Sequence, residues 1–120
     1  MVELIYARGE NSKMKKWMNA KIKWLTAEEG GRKTPVPVVL KERDDNRYCP
    51  IIVFPNAITS GISWSADIYV KSQIDKYESI AKVSYLFENA PFELLQEGAD
   101  FELYEGNRLV ATGIIDSELD

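Results

Sequence analysis

The stretch "ISWSADIYV", residues 62–70, decides the predicted fold, because its side chains alternate between apolar and polar over their whole length. The apolar members, which would share one face, are Ile62, Trp64, Ala66, Ile68 and Val70. The polar members, which would share the other, are Ser63, Ser65, Asp67 and Tyr69. Successive side chains of a β-strand point to opposite faces of a sheet, so the pattern predicts a half-buried strand with Asp67 and Tyr69 facing solvent.

Three other segments extend the β pattern. The runs "AKIKWL", residues 20–25, and "SIAKVSYLF", residues 79–87, show the same alternation. The run "PIIVF", residues 50–54, is apolar without alternation, which predicts a strand covered on both faces.

The C-terminal run "GADFELYEGNRLVATGII", residues 98–115, predicts a hairpin. Its turn would be formed by Glu105, Gly106 and Asn107, with Gly and Asn supplying the positive φ angles of a tight turn. Together the segments predict an all-β domain, a six-stranded antiparallel barrel that is closed so that no strand edge is exposed.

The N-terminal run "SKMKKWMN", residues 12–19, contains the one apolar stripe at helical spacing, formed by Met14, Trp17 and Met18. With Ser12 as its N-cap, it predicts a short helix or arm that covers one end of the barrel. The predicted organisation is therefore an N-terminal extension over 1–19, a barrel over 20–116 and an acidic tail over 117–120.

Composition predicts a protein of the reducing cytoplasm, because the chain has one cysteine and no apolar run of the roughly 20 residues that a spanning helix requires. Residues 1–50 hold 11 Lys and Arg against 7 Asp and Glu, a net charge of +4, whereas the remainder holds 4 against 12, a net charge of −8. This asymmetry could create a field that attracts a partner, or it could be closed internally by ion pairs between opposed strands.

Catalytic and cofactor motifs are missing from the sequence. It has no histidine, the commonest general base and zinc ligand, and no GxxxxGK[ST] phosphate-binding loop. Cys49, beside Pro50 and an apolar run, is predicted to be a buried and unreactive thiol. We therefore expect no enzymatic activity and no metal, cofactor or nucleotide.

Three segments in order resemble one known family. They are "AKIKWLTAEEGGRKTPV" at 20–36, "RYCPIIVFPNAITSGI" at 47–62 and "PFELLQEGADFELYEGNRLVATGII" at 91–115. Together they are similar to the third, C-terminal domain of bacterial translation elongation factor Tu, in which a strand ends in Leu, two acidic residues, Gly-Gly-Arg and then Thr-Pro. The resemblance covers about residues 20–115 and implies a six-stranded antiparallel barrel and an origin in the translation machinery.

In that family the third domain packs on a GTPase domain, receives an exchange factor and touches the T stem of aminoacyl-tRNA. By resemblance, Arg32, Lys33, Thr59 and the turn that ends at Arg108 are available for such contacts. The chain departs from the family at Ile51, Tyr104 and Asn107, and it has an insertion-like loop at 41–47. We expect it to act without a GTPase domain.

These observations favour a non-enzymatic binding module that engages a protein partner, with translation as the setting that the resemblance suggests. The predicted partner-binding residues are Glu28, Glu29, Arg32, Lys33, Thr59 and Arg108. The predicted apolar contacts, expected to form one patch with Arg32 and Lys33, are Met14, Trp17 and Met18. Arg32 could instead close a local ion pair with Glu28 or Glu29 and hold its own turn together.

Two alternatives stay open. The first is binding of tRNA or another RNA by a set of cations, namely Lys13, Lys15, Lys16, Lys21, Lys23, Arg32 and Lys33. The second is an antidote or immunity protein whose acidic second half blocks a basic toxin. No membrane contact is expected in any of these roles.

Overall fold

A computed structural model describes residues 15–57 and 63–119 of the chain. Within these ranges six strands account for nearly all of the regular structure. They are β1 (Met18–Trp24), β2 (Ile51–Val53), β3 (Trp64–Asp75), β4 (Glu78–Tyr85), β5 (Asp100–Glu105) and β6 (Arg108–Glu118). Two short 3-10 helices, Asp44–Asn46 and Phe92–Leu94, lie in the connections.

The strands form a closed antiparallel barrel in the order β1, β4, β3, β2, β5, β6, with β6 pairing back onto β1. The predicted six-stranded closed barrel is therefore confirmed. Because each strand has a hydrogen-bonded neighbour on both sides, closure removes the exposed sheet edge at which other chains could pair.

Alternating side chains fill the barrel interior as the periodicity predicts. On β1, Ala20, Ile22 and Trp24 are buried, whereas Lys21 and Lys23 are exposed. The same inward rows continue on the other strands with Ile68, Val70, Ala81, Val83, Phe101, Leu103 and Ile115.

The outer face of β3 contradicts the sequence prediction, because Asp67 is 0% exposed and Tyr69 is also buried. The connection between β1 and β2 lies over this face: the Tyr69 hydroxyl donates to Arg43 O at 3.4 Å, and Arg47 pairs with Asp67. The middle of β3 is consequently covered on both faces, which the local alternation could not reveal.

Residues 15–17 cover the neighbouring part of the same outer face. Ser84, which is buried on β4, donates its hydroxyl to Lys16 O at 2.7 Å. Lys15 Nζ lies 2.6 Å from Asp67 Oδ2, and Arg47 Nε lies 3.3 Å from Asp67 Oδ1. The buried carboxylate of Asp67 thus ties together the N-terminal segment, β3 and the connection before β2.

The N-terminal run over 12–19, predicted to be a short helix or arm, is not helical in its described part. Residues 15–17 have no regular structure, and Met18 and Asn19 belong to β1, where Met18 pairs with Val83 and with Glu118. Pairing on both sides outweighs the weak helical stripe. The barrel strands accordingly run from 18 to 118, slightly beyond the predicted bounds of 20–116.

Two smaller predictions are also corrected. In β2 only Ile52 is fully buried, and Ile51 and Val53 stay partly exposed, so this short strand is not covered on both faces. In the turn between β5 and β6, Gly106 adopts a φ of 64°, but Asn107 does not have a positive φ.

Candidate partner-binding site

The predicted partner-binding residues concentrate at one end of the barrel, which we call the hairpin end. It comprises the loop after β1 (residues 25–34), the turn between β3 and β4 (residues 75–78) and the turn between β5 and β6 (residues 105–108). These segments are linked, since Trp24 N donates to Tyr77 O at 2.8 Å and Leu25 N to Val110 O at 2.9 Å. We call the opposite end, formed by residues 54–57 and 86–99, the loop end.

The loop after β1 is held in shape by its own residues. Thr26 N donates to Glu29 Oε1 at 2.8 Å and Glu29 N donates to Thr26 Oγ1 at 3.1 Å, a reciprocal pair of the capping-box type. Hydrogen bonds from the Thr26 backbone and hydroxyl lower the pKa of Glu29 below its usual value. Gly30 adopts a φ of 94°, and a Cβ on Gly31 would lie only 2.3 Å from Leu25 O. Both glycines are therefore required by this bend.

Arg32 joins this loop to the turn between β5 and β6. Its Nη1 forms an ion pair and hydrogen bond with Glu105 Oε2, and its Nε donates to Thr34 O at 3.0 Å. The guanidinium also lies over the Tyr48 ring, 5.5 Å from the centroid. The predicted local pair of Arg32 with Glu28 or Glu29 is therefore wrong, because the barrel brings Glu105 into reach and Thr26 already occupies Glu29.

Tyr48 completes this network. Its hydroxyl donates to Glu105 Oε2 at 2.6 Å, and its ring lies 5.8 Å from that of Trp24, whose indole N–H donates to Ser79 Oγ at 2.9 Å. Burial, and then the hydrogen bond to Glu105, raises the pKa of Tyr48. Burial alone would raise the pKa of Glu105, but hydrogen bonds from Tyr48 and Arg32 outweigh it and lower that pKa. Glu105 is therefore an ionised centre that fixes two segments.

Four of the predicted contact residues are exposed at this end, namely Glu28, Glu29, Lys33 and Arg108. Arg108 faces Glu105 across the first pair of the hairpin. Thr59, the remaining predicted contact, lies outside the described residues.

The predicted apolar contacts do not join this site, so the single predicted patch is wrong. Met18 is 2% exposed and belongs to the core. Trp17 packs against Tyr69 with ring centroids 6.0 Å apart and carries Lys82 Nζ at 4.5 Å from its ring centroid. Trp17 precedes β1 whereas Arg32 follows it, and the seven residues of β1 extend about 20 Å. Met14 lies outside the described residues.

The cations proposed for RNA contact are divided among different surroundings. Lys15 pairs with Asp67, and Arg32 pairs with Glu105. Lys21 and Lys23 lie on the outer face of β1, where Lys23 is opposite Glu78 of β4. Lys13 lies outside the described residues. Lys15, Lys23 and Arg32 thus each lie beside a carboxylate, and the described cations do not form one basic face.

Ion pairs across the barrel close part of the charge asymmetry between the two halves of the chain. Glu42 accepts hydrogen bonds from Lys82 and Lys71, each at 2.9 Å, which lower the pKa of Glu42, but these pairs join an acid of the first half to cations of the second. The pairs that reduce the asymmetry are those of Lys15 and Arg47 with Asp67 and of Arg32 with Glu105. The internal interpretation of the asymmetry is therefore correct for these residues. Sequence reasoning missed the structural roles of Tyr48 and Asp67, and it placed Glu105 in a contact turn without identifying it as the partner of Arg32. The opposite net charges of the two halves indicated such pairing in general.

Glu29, Arg32 and Glu105 are engaged in hydrogen bonds that fix the loops at this end. Among residues 15–57 and 63–119, no group of three or more His, Cys, Asp or Glu side chains is arranged to hold a metal ion. Cys49 is exposed, which corrects its predicted burial, although desolvation and the nearby Asp67 raise its pKa. No helix in the described part is long and apolar enough to cross a membrane.

Fold and site together define a small closed antiparallel barrel with a braced, charged rim at one end. Comparison of the chain with protein-family models and with curated proteins finds no match.

Proposed function

We propose that the protein is a non-enzymatic binding module that engages a protein partner through its hairpin end. The observation that carries this proposal is the brace formed by Arg32, Glu105 and Tyr48, which holds two surface segments in one fixed arrangement. Contact groups that are already ordered lose less conformational entropy on binding, so such a rim is suited to specific association.

The exposed charges on this rim supply the contact. Glu28, Lys33 and Arg108 offer both signs of charge from segments whose backbones are fixed. Complementary charges at the rim of an interface increase the association rate and select the correct partner more than they increase affinity. The resemblance to the third domain of elongation factor Tu makes translation the setting in which to look for that partner.

Charge distribution favours a protein over RNA as the partner. Affinity for a phosphate backbone comes from clustered cations that displace counterions. Here Lys15 and Arg32 are paired with carboxylates, Lys23 is opposite Glu78, and the chain has a net charge of −4.

Affinity capture with the tagged full chain, with and without RNase, tests the proposal. We expect a defined protein to be captured whether or not RNase is present, to be lost by the double variant Lys33→Glu/Arg108→Glu, and to be retained by Lys41→Glu. Lys41 is a matched control because it is also exposed but lies in the connection before β2. Capture that the double variant leaves unchanged would refute the assignment to the hairpin end. Capture of tRNA or ribosomal RNA that is abolished by RNase would show that the partner is RNA and not a protein.

A further inference from the structure

The loop end contains a groove that none of the predicted contacts involves. Its volume is about 540 Å³, it is open to solvent on one side, and most of its lining is apolar. The apolar walls include Phe54, Ala57, Leu94 and Ala99, and the charged residues in the lining are Glu93 and Asp100.

A cluster of aromatic rings supports the floor of this groove. Phe54 packs against Phe101 with centroids 6.0 Å apart and against Tyr85 at 6.5 Å. Tyr85 in turn packs edge-on against Phe92 at 5.3 Å and Trp64 at 6.3 Å. Because Tyr85 and Phe101 are fully buried, the floor is rigid and the groove is already formed without a partner.

The charged side chains that line the groove itself are both acidic, and the nearest cations, Lys21 and Lys23, line the adjoining surface that shares Asn56 and Asp100 with it. Residues 83–107 contain six Asp and Glu and no Lys or Arg, and residues 48–70 also contain no Lys or Arg. Among the described residues, neither Glu93 nor Asp100 forms an ion pair. The contact to the Asp100 carboxylate is a long hydrogen bond from Asn56 Nδ2, at 3.4 Å. The carboxylates of Glu93 and Asp100, which form the acidic rim of the groove, are therefore available to an external cation.

We propose that this groove binds a basic segment of a protein, with apolar side chains seated between Phe54, Ala57 and Leu94 and with Lys or Arg side chains on Glu93 and Asp100. Small-molecule sites usually enclose about 70–90% of the ligand surface, which an open groove does not do. An apolar floor combined with an acidic rim therefore fits a cationic amphipathic segment, because each part of the segment has a complementary surface.

This surface is separate from the hairpin end. Asp100 begins β5 and Glu105 ends it, and the six residues of that strand extend about 17 Å. The two proposals can therefore fail or succeed independently, because one concerns each end of the barrel.

Titration of the isotope-labelled full chain with three synthetic peptides, followed by NMR, tests the groove. The first peptide is an amphipathic helix of Lys and Leu, the second has Ser in place of Leu, and the third has Glu in place of Lys. We expect the Lys and Leu peptide to shift the amides of Ala57, Leu94 and Ala99 and to bind at least about tenfold more tightly than either of the others. Equal affinity for the Ser peptide would show that binding is unspecific charge attraction, and it would overturn the proposal. Tight binding of the Glu peptide would also overturn it.

A matched pair of protein variants locates the binding. Glu93→Gln/Asp100→Asn should weaken binding of the Lys and Leu peptide about fivefold at low salt, since each charge at an exposed rim contributes modestly. Asp116→Asn/Glu118→Gln, which neutralises two exposed acids of β6, should leave the affinity unchanged. Equal weakening by both pairs would refute the groove as the site. The hairpin-end variant Lys33→Glu/Arg108→Glu should still bind the peptide. Failure of the hairpin-end proposal can therefore be distinguished from failure of the groove proposal.

Discussion

Replacing Asp67 with alanine should destabilise the barrel strongly, although the sequence predicts that this polar residue faces solvent. Its carboxylate is 0% exposed and has Lys15 at 2.6 Å and Arg47 at 3.3 Å. The substitution removes the central charge of this network, so Lys15 loses its carboxylate partner and Arg47 keeps only the exposed Asp44, at 3.4 Å.

The expected cost is about 2–3 kcal/mol in the free energy of unfolding. Removing one member of a fully buried ion pair costs roughly 3–5 kcal/mol, because the remaining charge stays desolvated. Here the Lys15 and Arg47 side chains are 19% and 31% exposed, so both can regain water. Arg47 Nε also has no hydrogen-bond partner among the described residues, which reduces the contribution of that contact further. For a domain of about 100 residues this corresponds to a fall in melting temperature of roughly 10 °C.

Urea unfolding followed by tryptophan fluorescence measures this cost. We expect a lower midpoint with an unchanged slope, and Asp116→Ala, at an exposed acid on β6, should stay within about 0.5 kcal/mol of the parent. The triple variant Lys15→Met/Arg47→Met/Asp67→Leu should recover much of the loss, because an apolar replacement of a whole buried network avoids its desolvation. A change of less than about 0.5 kcal/mol for Asp67→Ala would show that the residue is solvated, and the proposed covering of β3 would be refuted.

Three further changes test other parts of the barrel. Gly113→Ala should cost about 1–3 kcal/mol, because a Cβ there would lie 2.3 Å from Phe101 Cζ, and an unchanged melting temperature would contradict that packing. Ser79→Ala should lower the free energy of unfolding by about 1–3 kcal/mol, because it leaves the buried indole N–H of Trp24 without its acceptor. Chemical denaturation that shows the same stability as the parent would contradict this. The pKa of Glu105 is below its usual value of 4.5, so its contribution is present above about pH 4.5 and is lost as pH falls through the lower folded-state pKa. Melting temperatures measured from about pH 6 to about pH 2 should therefore fall less for Glu105→Gln than for the parent. An equal fall in both proteins would argue against the network.

The strands were predictable because alternation is recorded in adjacent residues. Ala20, Ile22 and Trp24 point inward on β1 as expected, and the turn at Gly106 lies where the sequence puts it. The candidate site was only partly predictable. Glycines mark the bend that presents Arg32, but its ion-pair partner Glu105 is 73 residues away and no local pattern could identify it.

By itself the sequence determined the class of fold and the number of strands, since the period of two, the turn residues and the need to cover strand edges all agree on a closed barrel. Tertiary structure alone decided which polar side chains are buried. Asp67 and Ser84 occupy outward positions that alternation predicts to be solvated, yet residues 15–17 and the connection before β2 lie over them. The physical reason is that alternation specifies the face on which a side chain lies, whereas its hydration depends on chain segments that are distant in sequence and are brought there by folding.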